Sequence, residues 1–215
     1  MTDSREVPAP VTAMVGRREL NKQRRRARIL DAAADLLAQQ PHEAVTLERI
    51  ACRAEVAEMT IFNLIGNRAQ IWAALAERAL AEVDLVAVHA DDPHERAVLI
   101  VESVMRVLIA EPHVFRAVLR SWTAGARVVL GDPMRVLVNC FAAAVQRGSV
   151  VPDLDVRAAA ELLSAALLGV AHEWAAEAIT DCALSSRARD MVDIAFAAAR
   201  PGGPPALRIR ISRGS

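Results

Sequence analysis

The chain has 215 residues, enough for one large domain or two small ones with a real apolar core. Its 53% hydrophobic content excludes a disordered chain, and abundant alanine and leucine with no tyrosine favour helices over sheets. The 26 basic and 26 acidic side chains cancel, which speaks against a general nucleic-acid binder. Seven positive charges against one negative nevertheless gather between Arg17 and Arg28, so the basic charge sits at one end.

Residues 1–16 include Pro8 and Pro10, show no apolar period, and are expected to form a flexible arm. The basic run then leads into a helix with Ile29, Ala33, Leu36 and Leu37 at helical spacing, which Pro41 stops. Thr46 is the expected N-cap of a short helix, Leu47 to Arg53, with Leu47, Ile50 and Ala51 inward. After Ala54-Glu55-Val56-Ala57 a third short helix runs from about Glu58 to Ile65, and Gly66 ends it. Asn67 with Gln70 reads as a capping box opening a fourth helix, whose stripe is Ile71, Leu75, Ala79, Val83 and Val86.

Further helices are expected from His94 to Ala110, through Val114, Val118 and Leu119, and from Met134 to Arg147. A loop, Gly148 to Pro152, follows. Asp155 then opens a helix to about Ile179, and Ser185 or Ser186 opens the last, to about Ala199. The tail, residues 201–215, is rich in proline and glycine, basic, and expected to be flexible. The helix after Asp155 is apolar nearly all round, so it should be buried on two sides, one against its own core and one against a second subunit. With the last helix it predicts a four-helix homodimer interface drawn from Leu163, Ala166, Val170, Trp174, Met191 and Ala195.

Cys52, Cys140 and Cys182 are odd in number and unpaired in spacing, which suits a reducing compartment. With no signal-peptide pattern and no apolar run of spanning length, the expected location is cytoplasmic. The five histidines are scattered without a completing set of ligands, so no metal and no cofactor are expected. No GxSxG, Walker loop, GxGxxG or HExxH is present, and an enzyme is not expected.

The first helix followed by two short helices across a tight turn is the plan of a helix-turn-helix unit. Arg28-Ile29-Leu30, Ala32-Ala33, Leu36-Leu37, Val45-Thr46, Ile50-Ala51, Ala54, Val56, Thr60-Ile61-Phe62, Ile65, Asn67-Arg68 and Ile71 follow without a gap. Residues 24–75 thereby resemble the DNA-binding head of the TetR (tetracycline-repressor) family. The resemblance implies an all-α protein of about nine helices. A three-helix head over residues 17–68 would precede a helical effector-binding and dimerisation domain over residues 69–200. It also implies departures from the family pattern: Glu55 where the turn has glycine, Ala57 where Ser or Thr caps the recognition helix, and Phe62 where Tyr is usual.

By the same resemblance, Arg24, Arg25, Arg26, Arg28, Thr46, Arg49, Glu58, Met59, Thr60, Asn63 and Arg68 are the candidate DNA contacts. Phe62, with Ile29, Ala33, Leu36, Ile50, Val56, Ile61 and Ile71, is expected in the head core. Met105, His113, Trp122, Cys140 and His172 lie on helices that would surround an effector pocket, whose apolar lining favours an apolar or aromatic small molecule. For the basic run, a solvated helix face is the alternative reading. The function implied is a ligand-responsive, sequence-specific transcriptional regulator, a repressor released from a palindromic double-stranded operator by a small molecule. The alternative is a helical dimer with a degenerate head that acts through protein partners or ligand sequestration.

Overall fold

The computed structural model describes residues 11–121 and 131–202. Trp122, the first ten residues of the expected arm and nearly all of the expected tail lie outside the described residues. Among the described residues there are nine α-helices, one 3-10 turn and no strand. The chain divides into two compact units that part between Ala74 and Leu75, within the fourth helix.

The first unit holds α1 (Val11–Gln39), a 3-10 turn (His42–Ala44), α2 (Leu47–Ala54), α3 (Glu58–Leu64) and the start of α4 (Arg68–Ala81). α1 begins at Val11, inside the segment expected as an arm, yet the first buried side chain among those described from Gly16 onward is Ile29. From there Ile29, Ala33, Leu36 and Leu37 turn inward at helical spacing and meet Ile50, Ile61, Ile71 and Trp72 in one small core. Each such aliphatic side chain contributes about 1.5–3 kcal/mol by leaving water. Phe62, expected in this core, is 61% exposed instead, because Ile61 takes the inward position of the short helix.

The second unit holds the rest of α4 and then α5 (Pro93–Ala110), α6 (Pro112–Arg120), α7 (Gly131–Gln146), α8 (Val156–Ala175) and α9 (Asp181–Ala199). α5 packs on α7 and α9, and α8 packs on α6, α7 and α9. Phe141 of α7 stacks on Phe196 of α9 at 4.6 Å, and Trp174 of α8 is fully buried, its indole N–H donating to Asp181 at 2.7 Å.

Three boundaries differ from expectation. α4 stops at Ala81, so Val83 and Val86 leave its stripe. The Asp84 side chain accepts from the Val86 and Ala87 N–H groups, which favours a turn over a further helical one. α8 ends at Ala175, four residues before Ile179, where Glu177 adopts a left-handed φ of 61°. α9 starts at Asp181 with Thr180 as its N-cap, and Ser185 lies inside the helix, donating to the Asp181 carbonyl.

Candidate nucleic-acid interface

The α2–turn–α3 unit is held at each end by identifiable groups. Thr46 caps α2, its Oγ1 accepting from the Arg49 N–H at 3.2 Å. Glu55 ends α2 with φ 52° and ψ 49°, and the Val56 N–H returns to the Ala51 carbonyl at 3.0 Å. α3 starts on Ala57 without a side-chain cap. Its far end closes on Gly66, φ 120°, whose N–H reaches the Ile61 carbonyl at 3.1 Å. A Cβ on Gly66 would lie 1.9 Å from Gln70 Oε1, so a side chain here would displace Gln70 as well as strain the positive φ. Gln70 is fixed there because it exchanges two hydrogen bonds with Asn67, at 2.9 and 3.1 Å, and completes the capping box of α4.

So held, α3 buries Ile61, half-buries Thr60, and leaves Glu58, Met59, Phe62 and Asn63 exposed. Met59 and Phe62 are 66% and 61% exposed on a helix that needs only one inward face. This outer surface has two large apolar side chains, one amide and one carboxylate, and no cation. Any phosphate-binding charge must therefore come from elsewhere.

The cations expected for that role divide. The Arg28 guanidinium donates to the Ala54 carbonyl at 2.9 Å and to that of Glu55 at 3.5 Å, and Arg26 donates to the Leu64 carbonyl at 3.1 Å. These two arginines of α1 brace the C-terminal carbonyls of α2 and α3, where positive charge is favoured. Arg49 and Arg68 donate to the carbonyls of Ala44 and Glu43, at 3.3 and 3.4 Å, and so surround the 3-10 turn. Arg24 and Arg25 are exposed with no bond to another described residue. The ion pair of Arg53 with Asp35, 2.8 Å, was not legible in the sequence, since nothing in the spacing of α1 and α2 links the two.

Residues 29–75 match the family model described as bacterial regulatory proteins, tetR family. The head of this chain is therefore similar to that of TetR-family regulators. Solved TetR-type structures share the fold. The fatty acid degradation regulator FadR from Bacillus halodurans is 21% identical, with a TM-score of 0.60 over 81% of this chain and 99% of that one. A TetR transcriptional regulator from Rhodococcus sp. RHA1 is 20% identical, with a TM-score of 0.61 over 82% and 97%. FadR from Bacillus subtilis in complex with stearoyl-CoA is 18% identical, with a TM-score of 0.59 over 79% and 97%. No curated protein matches the sequence.

In the second unit the expected dimer residues separate. Leu163 and Trp174 belong to the core of the protomer, at 2% and 0% exposure, and not to an outer face. They sit on the stripe Ala160, Leu163, Leu167, Ala171 and Trp174, whose i, i+3, i+4 spacing turns it inward. Ala166 is exposed, and Val170, Met191 and Ala195 are half-buried. Two further large apolar side chains of this unit face outward, Leu162 at 48% and Ile194 at 51% exposure.

The expected pocket residues separate too. Met105 and Cys140 are buried on the packed pair α5 and α7, and burial pushes the Cys140 thiol pKa up, partly offset by the Arg96 charge. His172 is half-buried, with Nδ1 against the Leu168 carbonyl of its own helix. His113 is exposed on α6, so it lines no interior there. Among the described residues no cluster of three metal-ligating side chains forms, and no helix is long and apolar enough to cross a membrane.

Proposed function

We propose that this chain is a ligand-responsive, sequence-specific transcriptional regulator. It acts as a homodimer and as a repressor that a small molecule releases from a palindromic operator. The observation that carries this reading is α3: a seven-residue helix locked at its C-terminal end by Gly66, with Glu58, Met59, Phe62 and Asn63 all outward. A short helix with one free face, fixed by a small core, is the shape that enters a major groove. Asn63 supplies an amide suited to adenine, and Met59 and Phe62 supply apolar surface suited to thymine methyl groups. An effector admitted between α5 and α7 would meet apolar side chains such as Met105 and Cys140, which favours an apolar or aromatic molecule. The stearoyl-CoA held by Bacillus subtilis FadR, a protein of the same fold, is consistent with that chemistry.

A second reading, a TetR-like dimer with a degenerate head, draws on Ala57 and Glu58. An uncapped N-terminus and a carboxylate in the first turn of α3 both weaken an approach to phosphate. Selection of bound fragments from the source genome decides between them. Specific regulation predicts a recurrent inverted repeat with half-sites about 34–36 Å apart, or a multiple of it. Recovery without any shared sequence, combined with a new preference in an Ala57→Ser, Glu58→Arg double variant, would establish the degenerate head instead.

A further inference from the structure

α1 is 29 residues long, but among its described side chains the head core uses only those from Ile29 onward. Residues 16–25 are exposed at every position. They carry Arg17, Arg18, Lys22, Arg24 and Arg25 against one acid, Glu19, which lies 4.0 Å from Lys22. At about 100° per residue these five cations fall within an arc of roughly 160° on one side of the helix. The opposite side holds Gly16, Glu19, Leu20, Gln23 and Ala27.

Left alone, this segment is in conflict with its own conformation. It buries nothing, and an isolated stretch of this length is marginal as a helix. Its cations repel one another at i, i+3 (Lys22 and Arg25) and i, i+4 (Arg18 and Lys22), and the first turn of α1 carries no acid to oppose the positive end of the helix dipole. A polyanion along the charged side removes each of these costs. The segment is covalently continuous with the arginines that brace α2 and α3, since Arg26 and Arg28 follow directly in the same helix. It therefore belongs to the same compact unit as α3. Ten helical residues extend about 15 Å, comparable with four base-pair rises of about 3.4 Å.

Resting on the DNA-binding reading above, we propose that residues 16–25 of α1 form a second DNA-contacting element, one that grips backbone phosphates beyond the reach of α3 and reads no bases. Duplex DNA fits better than a lipid surface, because the side opposite the cations offers one large apolar side chain, Leu20, where a membrane-bound helix needs an apolar face.

The test compares the full chain with an Arg17→Gln, Arg18→Gln, Lys22→Gln variant, measuring affinity for the selected duplex and for random duplexes from 50 to 200 mM salt. None of the three side chains is buried, so the thermal melt should not move. Loss of three phosphate contacts lowers the slope of log affinity against log salt by about 2.7 per protomer. The affinity ratio between the two salt conditions then shrinks by about 40-fold per protomer, while the base preference stays the same. An unchanged slope and affinity would overturn the proposal. So would an unchanged slope with lost binding to phosphatidylserine vesicles, which would assign the segment to membranes. If the unaltered chain shows no base preference but the variant still loses slope, the sequence-specific reading falls and this inference stands.

Discussion

Glu55 and Glu177 each hold a backbone conformation that favours glycine, with φ of 52° and 61°. A side chain in this region costs about 1–2 kcal/mol, and replacing it with glycine returns that amount less about 0.4–1 kcal/mol of unfolded-chain entropy. The Glu55 side chain makes no ion pair with a described residue that would compensate. Glu55→Gly is therefore expected to stabilise the head by about 0.5–1 kcal/mol. Denaturant unfolding followed by the fluorescence of Trp72 would show a raised midpoint; a lowered one would mean that Glu55 supports the turn. Glu177 differs because Arg116 and Arg120 reach its carboxylate at 3.5 and 3.2 Å, and Arg120 also donates to the Ala175 carbonyl at 2.9 Å. The end of α8 is thus stabilised from α6, by residues far away in the chain. No glycine or proline marks it, which is why the sequence alone carried the helix on to Ile179. Glu55 stood out only because the family resemblance put glycine there.

At the scale of elements, short polar side chains beside apolar periods made most helix starts legible. Thr46, Asn67 with Gln70, and Asp155 all cap where the pattern placed them, since each satisfies orphan N–H groups within three residues. Ser185 misled because a serine inside a helix can bond back to the carbonyl four residues before it as readily as it caps. Exposure on a seven-residue helix was less legible: Ile61 and Phe62 are both apolar, and only packing against α1 selects Ile61. Within α7 the inward stripe Val136, Leu137, Cys140, Phe141 and Ala144 places a thiol in the core. Burial raises its pKa, so at pH 8 less of it is the reactive thiolate than for a free cysteine. Cys52 and Cys182 are exposed. A chromogenic disulfide reagent at pH 8 should thus titrate two thiols quickly in the folded protein and the third only after denaturation. Three fast thiols would mean that the α5–α7 packing opens readily.

For the whole molecule, the proposed regulation depends on two heads acting together, and the face that would join them can be tested through neighbouring residues with opposite environments. Leu163 is core, whereas Leu162, one residue earlier, is 48% exposed. Leu162 shares the outer side of α8 with Ala165, Ala166 and Gly169, all exposed, and Ile194 is 51% exposed on α9, which packs against α8. Small residues beside two large apolar ones allow a partner helix to approach closely. In a two-fold interface each substitution acts twice. Leu162→Glu should therefore leave the protomer folded, since it removes no core contact, but convert a dimer to a monomer at micromolar concentration in sedimentation. Affinity for an inverted repeat would then fall to that for a half-site. Leu163→Ala should do the reverse, lowering stability by about 2–5 kcal/mol through a cavity while subunit association persists wherever the protein is folded. If Leu162→Glu remained dimeric and Leu163→Ala separated the subunits, the joining face would lie elsewhere on the second unit. The repressor reading would then need a different geometry to bring its two heads onto one operator.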